Sequence, residues 1–400
     1  MSRAIALALR DCNVGIATHV PGHGATQTFN AFRGVMEQDF PVSFHEEPAY
    51  AIAHGAALTG MRSACIIKSH GLTKAMNAVM DSLSCGVTAG MVNIIFEDKG
   101  GSHSDNIIEI LPIIYGAEMP YAIGTAATIY RDVKDAYKKS EMLSLPYTLV
   151  IDSAEIDTEV ESPPAPESAL KGTGIPKSVL DNAPHQRMRQ WYQRDIQRHL
   201  VCPIFAPYQR EVLLSKIRPS EIYEFVKRPP MPRIPDDLPA DYQKAVAPYL
   251  PLFEVFKTME VDFVCGDAGV STLSALPPYD IAHAALYMGG SIPTVIGANL
   301  AGMKRSWAFI GDFSFISAGH YGLIEALLRN APIKVLIYAN GKAQTTGGQS
   351  LDLALLETLL AGYERYILRI NNPFDPAELL SVLDEANNAD ELRIVVAKYT

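Results

Sequence analysis

Four hundred residues with 48% apolar and 20% charged content can bury two sizeable cores, and general disorder is excluded. A formal charge of −10 argues against the basic face of a nucleic-acid binder, and no stretch approaches the roughly 18 apolar residues of a membrane span. Cys12, Cys65, Cys85, Cys202 and Cys265 are odd in number and scattered, so they suggest neither a disulfide framework nor a CxxC metal site; a cytoplasmic, reducing setting is expected.

The opening "MSRAIALALRDCNVG" has one short apolar run and no small-residue cleavage site after it, which predicts a first helix rather than a signal peptide. Short β-rich runs follow at 14–20 (VGIATHV), 63–69 (SACIIKS), 91–96 (MVNIIF) and 147–151 (YTLVI). They return at 306–311 (SWAFIG), 333–340 (IKVLIYAN) and 392–399 (LRIVVAKY), with Ala- and Leu-rich helical segments between. Strands alternating with helices imply an α/β fold with a parallel sheet covered on both faces, and the pattern occurs twice. The expected domains are 1–160 and 253–400. Residues 161–251 hold 15 of the 27 prolines, so 161–252 reads as a long, mostly extended Pro-rich connector carrying one polar, basic helix at 185–200.

Gly311 to Asn340 is about the length of one βαβ unit. Asp312 sits where the strand SWAFIG ends, and Asn340 where IKVLIYAN ends. Ile324, Leu327 and Leu328 give the intervening helix an apolar stripe, and Asn330 and Pro332 stop it. Ligands of open α/β sheets bind outside the carboxyl ends of the strands, so an acid and an amide are brought to the functional edge. Such hard oxygens suit Mg²⁺, which completes its octahedron with phosphate and water.

The segment resembles the diphosphate–magnesium motif of thiamine-diphosphate enzymes. The resemblance implies thiamine diphosphate and Mg²⁺ as cofactors, with Asp312, the Asn340 side chain and the Lys342 carbonyl as metal ligands. Gly311 and Phe313 flank that motif on the cofactor side. "YMGGSIPTVIGANLAG" (287–302) resembles the family segment in which a methionine, here Met288, is the apolar post that holds the cofactor bent. "CGDAGVSTLSALPP" (265–278) and "NGKAQTTGGQ" (340–349) are similar to the catalytic subunit of indolepyruvate:ferredoxin oxidoreductase, and place Gly266 and Asp267 at the cofactor.

"FHEEPAYAIAHGAALTG" (44–60) resembles the family's glutamate-headed helix, with His45 in place of the usual Asn. The match gives Glu46 the catalytic role of pairing with the aminopyrimidine ring. "KSHGLTKAMN" (68–77) and "DKGGSHSDN" (98–106) resemble loops that line the active site, His70 lying one residue later than the family pattern and His103 matching it better. His70 and His103 are therefore expected as catalytic and substrate-facing groups, and His23 in "VPGHGATQ" (20–27) as a further substrate contact.

The oxidoreductases resembled here carry iron–sulfur clusters, usually in a cysteine-rich C-terminal domain. Clustered cysteines able to supply four thiolates are lacking in this sequence. The expectation is two thiamine-diphosphate-binding-fold domains forming a non-oxidative 2-oxo-acid decarboxylase. An arylpyruvate is the substrate favoured by the resemblance, and the assembly is a homodimer or a dimer of dimers. An oxidoreductase subunit served by a separate electron-transfer partner, and a carboligase, are the alternatives.

Overall fold

The computed structural model of the chain describes residues 1–160, 199–220 and 227–400. The basic helix expected over 185–200 lies outside them except for its last two residues. The described chain divides into two compact units, one of residues 1–160 and 212–220, the other of residues 199–211 and 227–400.

The first unit is a five-stranded parallel sheet of β1 (Ile16–His19), β2 (Ser63–Lys68), β3 (Met91–Glu97), β4 (Tyr121–Gly124) and β5 (Tyr147–Asp152), in the order β1-β2-β3-β5-β4. β2 and β3 are buried nearly throughout, which is why they read as continuous apolar runs rather than alternating ones. Helices Ser2–Asp11, Ala25–Met36 and Ile129–Leu143 supply Leu9, Phe29, Phe32, Val133 and Tyr137 to one core. A buried ion pair fastens this scaffold: Arg62 donates to both Glu141 oxygens, at 2.5 and 2.9 Å, and to the Cys12 carbonyl at 2.8 Å. Removing either partner would strand a buried charge, at a cost of about 3–5 kcal/mol.

The second unit holds β6 (Phe263–Asp267), β7 (Ala284–Leu286), β8 (Ser306–Gly311), β9 (Lys334–Ala339), β10 (Ile367–Ile370) and β11 (Arg393–Lys398), all parallel, in the order β10-β11-β9-β8-β6-β7. Without its edge strand β7 the order is that of the first sheet read from the other side. β6, β8 and β9 correspond to β1, β2 and β3, and β11 and β10 to β5 and β4. Trp307, Phe256 and Phe309 meet edge to face in its core, and the Trp307 indole donates to Asn387 Oδ1 at 2.9 Å.

The described part of 161–252 differs from an extended connector. It forms helices Ala206–Ile217, Ala240–Val246 and the start of Leu250–Phe256, and Leu200, Phe205, Ile234, Tyr249 and Leu252 enter the second core. Proline is the reason for the difference: Pro239 caps Ala240–Val246 and Pro251 lies in the first turn of Leu250–Phe256, positions where no N–H is needed. The apolar stripe of the helix His320–Leu328 also differs from expectation. Ile324, Leu327 and Leu328 are exposed, while Gly322, Leu323, Glu325 and Ala326 face the interior.

Candidate active site

In the first unit, predicted site residues gather at the carboxyl ends of β1, β2 and β3. Glu46 begins the helix Glu46–Leu58, with His45 as N-cap, its Nδ1 accepting from Glu47 N at 3.2 Å. Glu46 Oε2 lies 2.6 Å from Lys74 Nζ, an ion contact from the end of the short helix Ser69–Lys74. Gly71 in that helix is what lets the carboxylate lie there: a Cβ at Gly71 would fall 2.7 Å from Glu46 Cγ and 3.1 Å from Oε1.

His23 and His103 sit on the loops after β1 and β3, and His70 in the short helix Ser69–Lys74 after β2. His23 and His103 stack, with ring centroids 3.7 Å apart. His70 Nε2 is 2.8 Å from Asn106 Oδ1 and so ties the helix after β2 to the loop after β3. Lys68 donates to the His103 carbonyl at 2.9 Å and to Ser104 Oγ at 2.7 Å. Asp98 receives the N–H groups of Ser102 and His103 and the Ser104 hydroxyl. Burial works to raise the Asp98 carboxyl, but these hydrogen bonds outweigh it and hold it below the usual carboxylate range. The His23 imidazole is lowered, first by burial and then by His103 beside it. It is therefore neutral near pH 7 and able to accept a proton. His19 is a packing residue instead, buried against Phe29 with Nδ1 2.9 Å from the Ile66 carbonyl.

In the second unit the corresponding three strand ends, β6, β8 and β9, carry Asp267, Asp312 and Asn340. Asp312 and Asn340 are brought together. Asp312 Oδ2 accepts from Asn340 N at 2.8 Å and Gly341 N at 2.7 Å, and Oδ1 accepts from Phe313 N at 2.7 Å. Burial raises the Asp312 carboxyl against the pull of these N–H groups. Asn340 Oδ1 accepts from Lys342 N at 3.0 Å, and Lys342 itself is exposed, bridging to Ser350. The donor set is carboxylate and amide oxygen, which suits Mg²⁺. A Cβ added at Gly311 would meet no heavy atom within 4 Å, so open space adjoins the end of β8. The residues therefore fit a metal and its phosphate ligand.

Asp267 has a different part. Oδ2 accepts from Gly289 N at 2.6 Å and from the Ser314 hydroxyl, and Oδ1 accepts from Ser291 N at 2.9 Å. Its carboxylate thus holds the turn that carries Met288 against the start of the helix after β8. Burial pushes the acid up to about 6 despite these donors. Gly266, beside it in β6, is packed against Ser271. Gly289 has φ +94°, and a Cβ there would lie 2.7 Å from Ala318 Cβ, so only glycine suits this turn. Met288 and Phe313 are both exposed.

Lys74, Gly71, Lys68, Asp98 and Tyr249 were not singled out by sequence. Lys68 ends β2 and Lys74 ends the short helix that carries His70, so proximity to a motif is their one signal.

Residues 267–395 match the family described as thiamine pyrophosphate enzyme, C-terminal TPP binding domain. That region is similar to the thiamine-pyrophosphate-binding domain of these enzymes. The chain is also 27% identical over 146 residues to indolepyruvate oxidoreductase subunit IorA of Methanothermobacter thermautotrophicus, a match covering 33% of this chain and 24% of that protein. It is 39% identical over 83 residues to IorA of Methanothermobacter marburgensis, covering 21% of this chain and 13% of the relative. The matched stretches thus span a quarter or less of these relatives.

Whole-chain likeness is found among solved structures. Benzoylformate decarboxylase from Polynucleobacter necessarius aligns with TM-score 0.63 and 12% identity, covering 100% of this chain and 98% of that one. A putative thiamin diphosphate-dependent enzyme from Mycobacterium smegmatis aligns with TM-score 0.65 and 14% identity, covering 100% and 99%. The thiamine-diphosphate-enzyme fold therefore extends over both units.

Proposed function

We propose that the chain is a thiamine-diphosphate- and Mg²⁺-dependent non-oxidative decarboxylase of a 2-oxo acid, with arylpyruvates as the favoured class. The observation that carries this reading is the Asp312 carboxylate clamped by the N–H groups of Asn340 and Gly341, at adjacent strand ends within the region similar to a thiamine-pyrophosphate-binding domain. In net terms a 2-oxo acid takes up one proton and leaves as an aldehyde and CO₂. The bond to the carboxylate breaks, and its electron pair stays on the former carbonyl carbon until that carbon is protonated.

Thiamine diphosphate, when bound, supplies the nucleophilic carbon and the electron sink for this cleavage. Asp312, Asn340 and the Lys342 carbonyl would hold Mg²⁺, Met288 would support the cofactor's bend, and Glu46 would hydrogen-bond to its pyrimidine ring. His70 and the stacked pair His23 and His103 would orient the substrate and deliver the proton. We place the enzyme in the cytoplasm, as a homodimer in which Glu46 of one copy serves the metal site of the other.

An oxidoreductase subunit with a separate electron acceptor is the second reading, favoured by the similarity to IorA. All five cysteines are free and buried and lie far apart in sequence, so in that reading the acceptor is a separate protein. The test is incubation with phenylpyruvate, indolepyruvate, pyruvate and 2-oxoglutarate, with Mg²⁺ and thiamine diphosphate, and identification of products. Aldehyde and CO₂ in equal amounts without an acceptor are expected. Turnover that requires a viologen would select the oxidoreductase.

A further inference from the structure

An asparagine that ligates a hard cation must present its oxygen, yet the two ends of its amide are nearly alike in shape. Which end faces the ligand is decided by the surrounding hydrogen bonds. At Asn340 two partners distinguish the ends. Lys342 N donates to Oδ1 at 3.0 Å, and Nδ2 donates to the Tyr249 hydroxyl at 2.6 Å.

Tyr249 comes from the Pro-rich stretch, at the junction of the turn Ala247–Tyr249 with the helix Leu250–Phe256. It packs in a cluster of buried tyrosines, 5.1 Å from Tyr338 and 4.5 Å from Tyr399 between ring centroids. Among the described residues the hydroxyls of Tyr338 and Tyr399 have no hydrogen-bond partner, whereas that of Tyr249 is spent on Asn340. A phenol held rigidly by its neighbours is a fixed acceptor, and an amide N–H₂ turned toward it keeps the opposite oxygen turned away.

We infer that Tyr249 is a positioning residue for the metal site, locking the Asn340 amide so that Oδ1 rather than Nδ2 is presented to Mg²⁺. The inference rests on the reading of Asp312 and Asn340 as metal ligands. Without the phenol oxygen only the Lys342 N–H holds the amide, and a rotated Asn340 points two N–H donors at the cation. Partners of this kind typically change metal affinity 10- to 100-fold when removed.

The experiment is a titration with Mn²⁺, as a spectroscopic stand-in for Mg²⁺, followed by electron paramagnetic resonance at saturating thiamine diphosphate. It compares Tyr249→Phe, Asn340→Ala, their double variant and Tyr338→Phe. Tyr249→Phe keeps the ring that packs on Tyr338 and Tyr399, so the fold is retained and unchanged circular dichroism checks this. Tyr249→Phe is expected to raise the Mn²⁺ Kd about 10- to 100-fold. Tyr338→Phe should leave it unchanged, and in the Asn340→Ala background Tyr249→Phe should add nothing. If Asn340→Ala weakens Mn²⁺ binding but Tyr249→Phe stays within about twofold of wild type, well short of that range, the positioning role is overturned while the metal site stands. If Asn340→Ala itself leaves Mn²⁺ binding unchanged, the metal-site reading fails and the role of Tyr249 falls with it.

Discussion

The carboxylate of Glu46 lies 2.6 Å from the ammonium of Lys74, the acid 13% and the lysine 52% exposed at their side chains. A half-solvated pair of this kind contributes at most about 1 kcal/mol. Its consequence for chemistry is larger, because the ammonium engages the carboxylate oxygen that a ring nitrogen would otherwise meet. Lys74→Met is expected to tighten thiamine diphosphate binding about two- to fivefold, measured by calorimetric titration. An equal or weaker Kd would mean that Lys74 stays beside Glu46 in the complex or helps to hold the cofactor.

Gly71 is the second test of the same carboxylate. Gly71→Ala puts a methyl 2.7 Å from Glu46 Cγ and 3.3 Å from Ile67 Cβ, so Glu46 must move. Misplacement of a reacting group by about 1 Å costs on the order of 100-fold. The expected result is a loss of one to two orders of magnitude in the rate of C2 proton exchange on bound thiamine diphosphate, followed by NMR. Wild-type exchange in this variant would detach Glu46 from cofactor activation.

The stacked histidines make a pH prediction. The His23 imidazole is lowered from its ordinary value by burial first and by His103 second. His103→Ala removes the second cause and opens the site to water, so His23 should titrate at higher pH. Histidine ring protons followed by NMR across the range would report it. A downward or absent change would show that His103 does not govern the charge of His23.

Asp267 predicts a change in stability with pH. Its folded pKa, about 6, is raised above the ordinary 3.8, so between these values the folded state binds the proton and the unfolded chain releases it. Stability from this group is therefore greatest below about pH 4 and is lost as pH rises through 6, by on the order of 3 kcal/mol. At pH 7 Asp267→Asn has lower stability, because two backbone N–H groups and a hydroxyl lose an ionised acceptor. The diagnostic is the slope: urea unfolding at pH 4.5 and pH 7 should show the variant losing less stability than wild type between the two. An equal loss would place the titration elsewhere.

Ile324, Leu327 and Leu328 are exposed, and the proposed homodimer makes this face testable. We expect a second copy to cover this face, as the homodimer reading requires. Sedimentation velocity at micromolar concentration should give a dimer for the wild type and a monomer for Ile324→Glu/Leu328→Glu. A wild-type monomer that turns over substrate would refute the shared-site arrangement.

The sequence displayed β1, β2, β3, β5, β8, β9 and β11, and missed β4, β6, β7 and β10. SACIIK, MVNIIFE and KVLIYA are long apolar runs because both faces of each strand are covered. β4, β7 and β10 have only 4, 3 and 4 residues, too short for any period to stand out. Periodicity also revealed that the helix His320–Leu328 has an apolar face, but period alone does not say what covers it. Motif resemblance pointed to Asp312, Asn340 and Glu46 as candidates. It could not find Lys74 or Tyr249, because each meets its partner through the fold rather than through spacing along the chain.

The shared strand order of the two sheets has a practical corollary. In each, the residues with candidate roles follow the first three strands of the common set, and the last two strands serve as scaffold. The edge of the second sheet opposite its candidate site includes the turn before β10, where Ala361 and Gly362 are exposed and a Cβ at Gly362 would meet nothing within 4 Å. That turn is a place to graft a fluorophore or an affinity handle. A reporter there would read out folding and assembly from the quiet side of the sheet, with the reacting side left untouched.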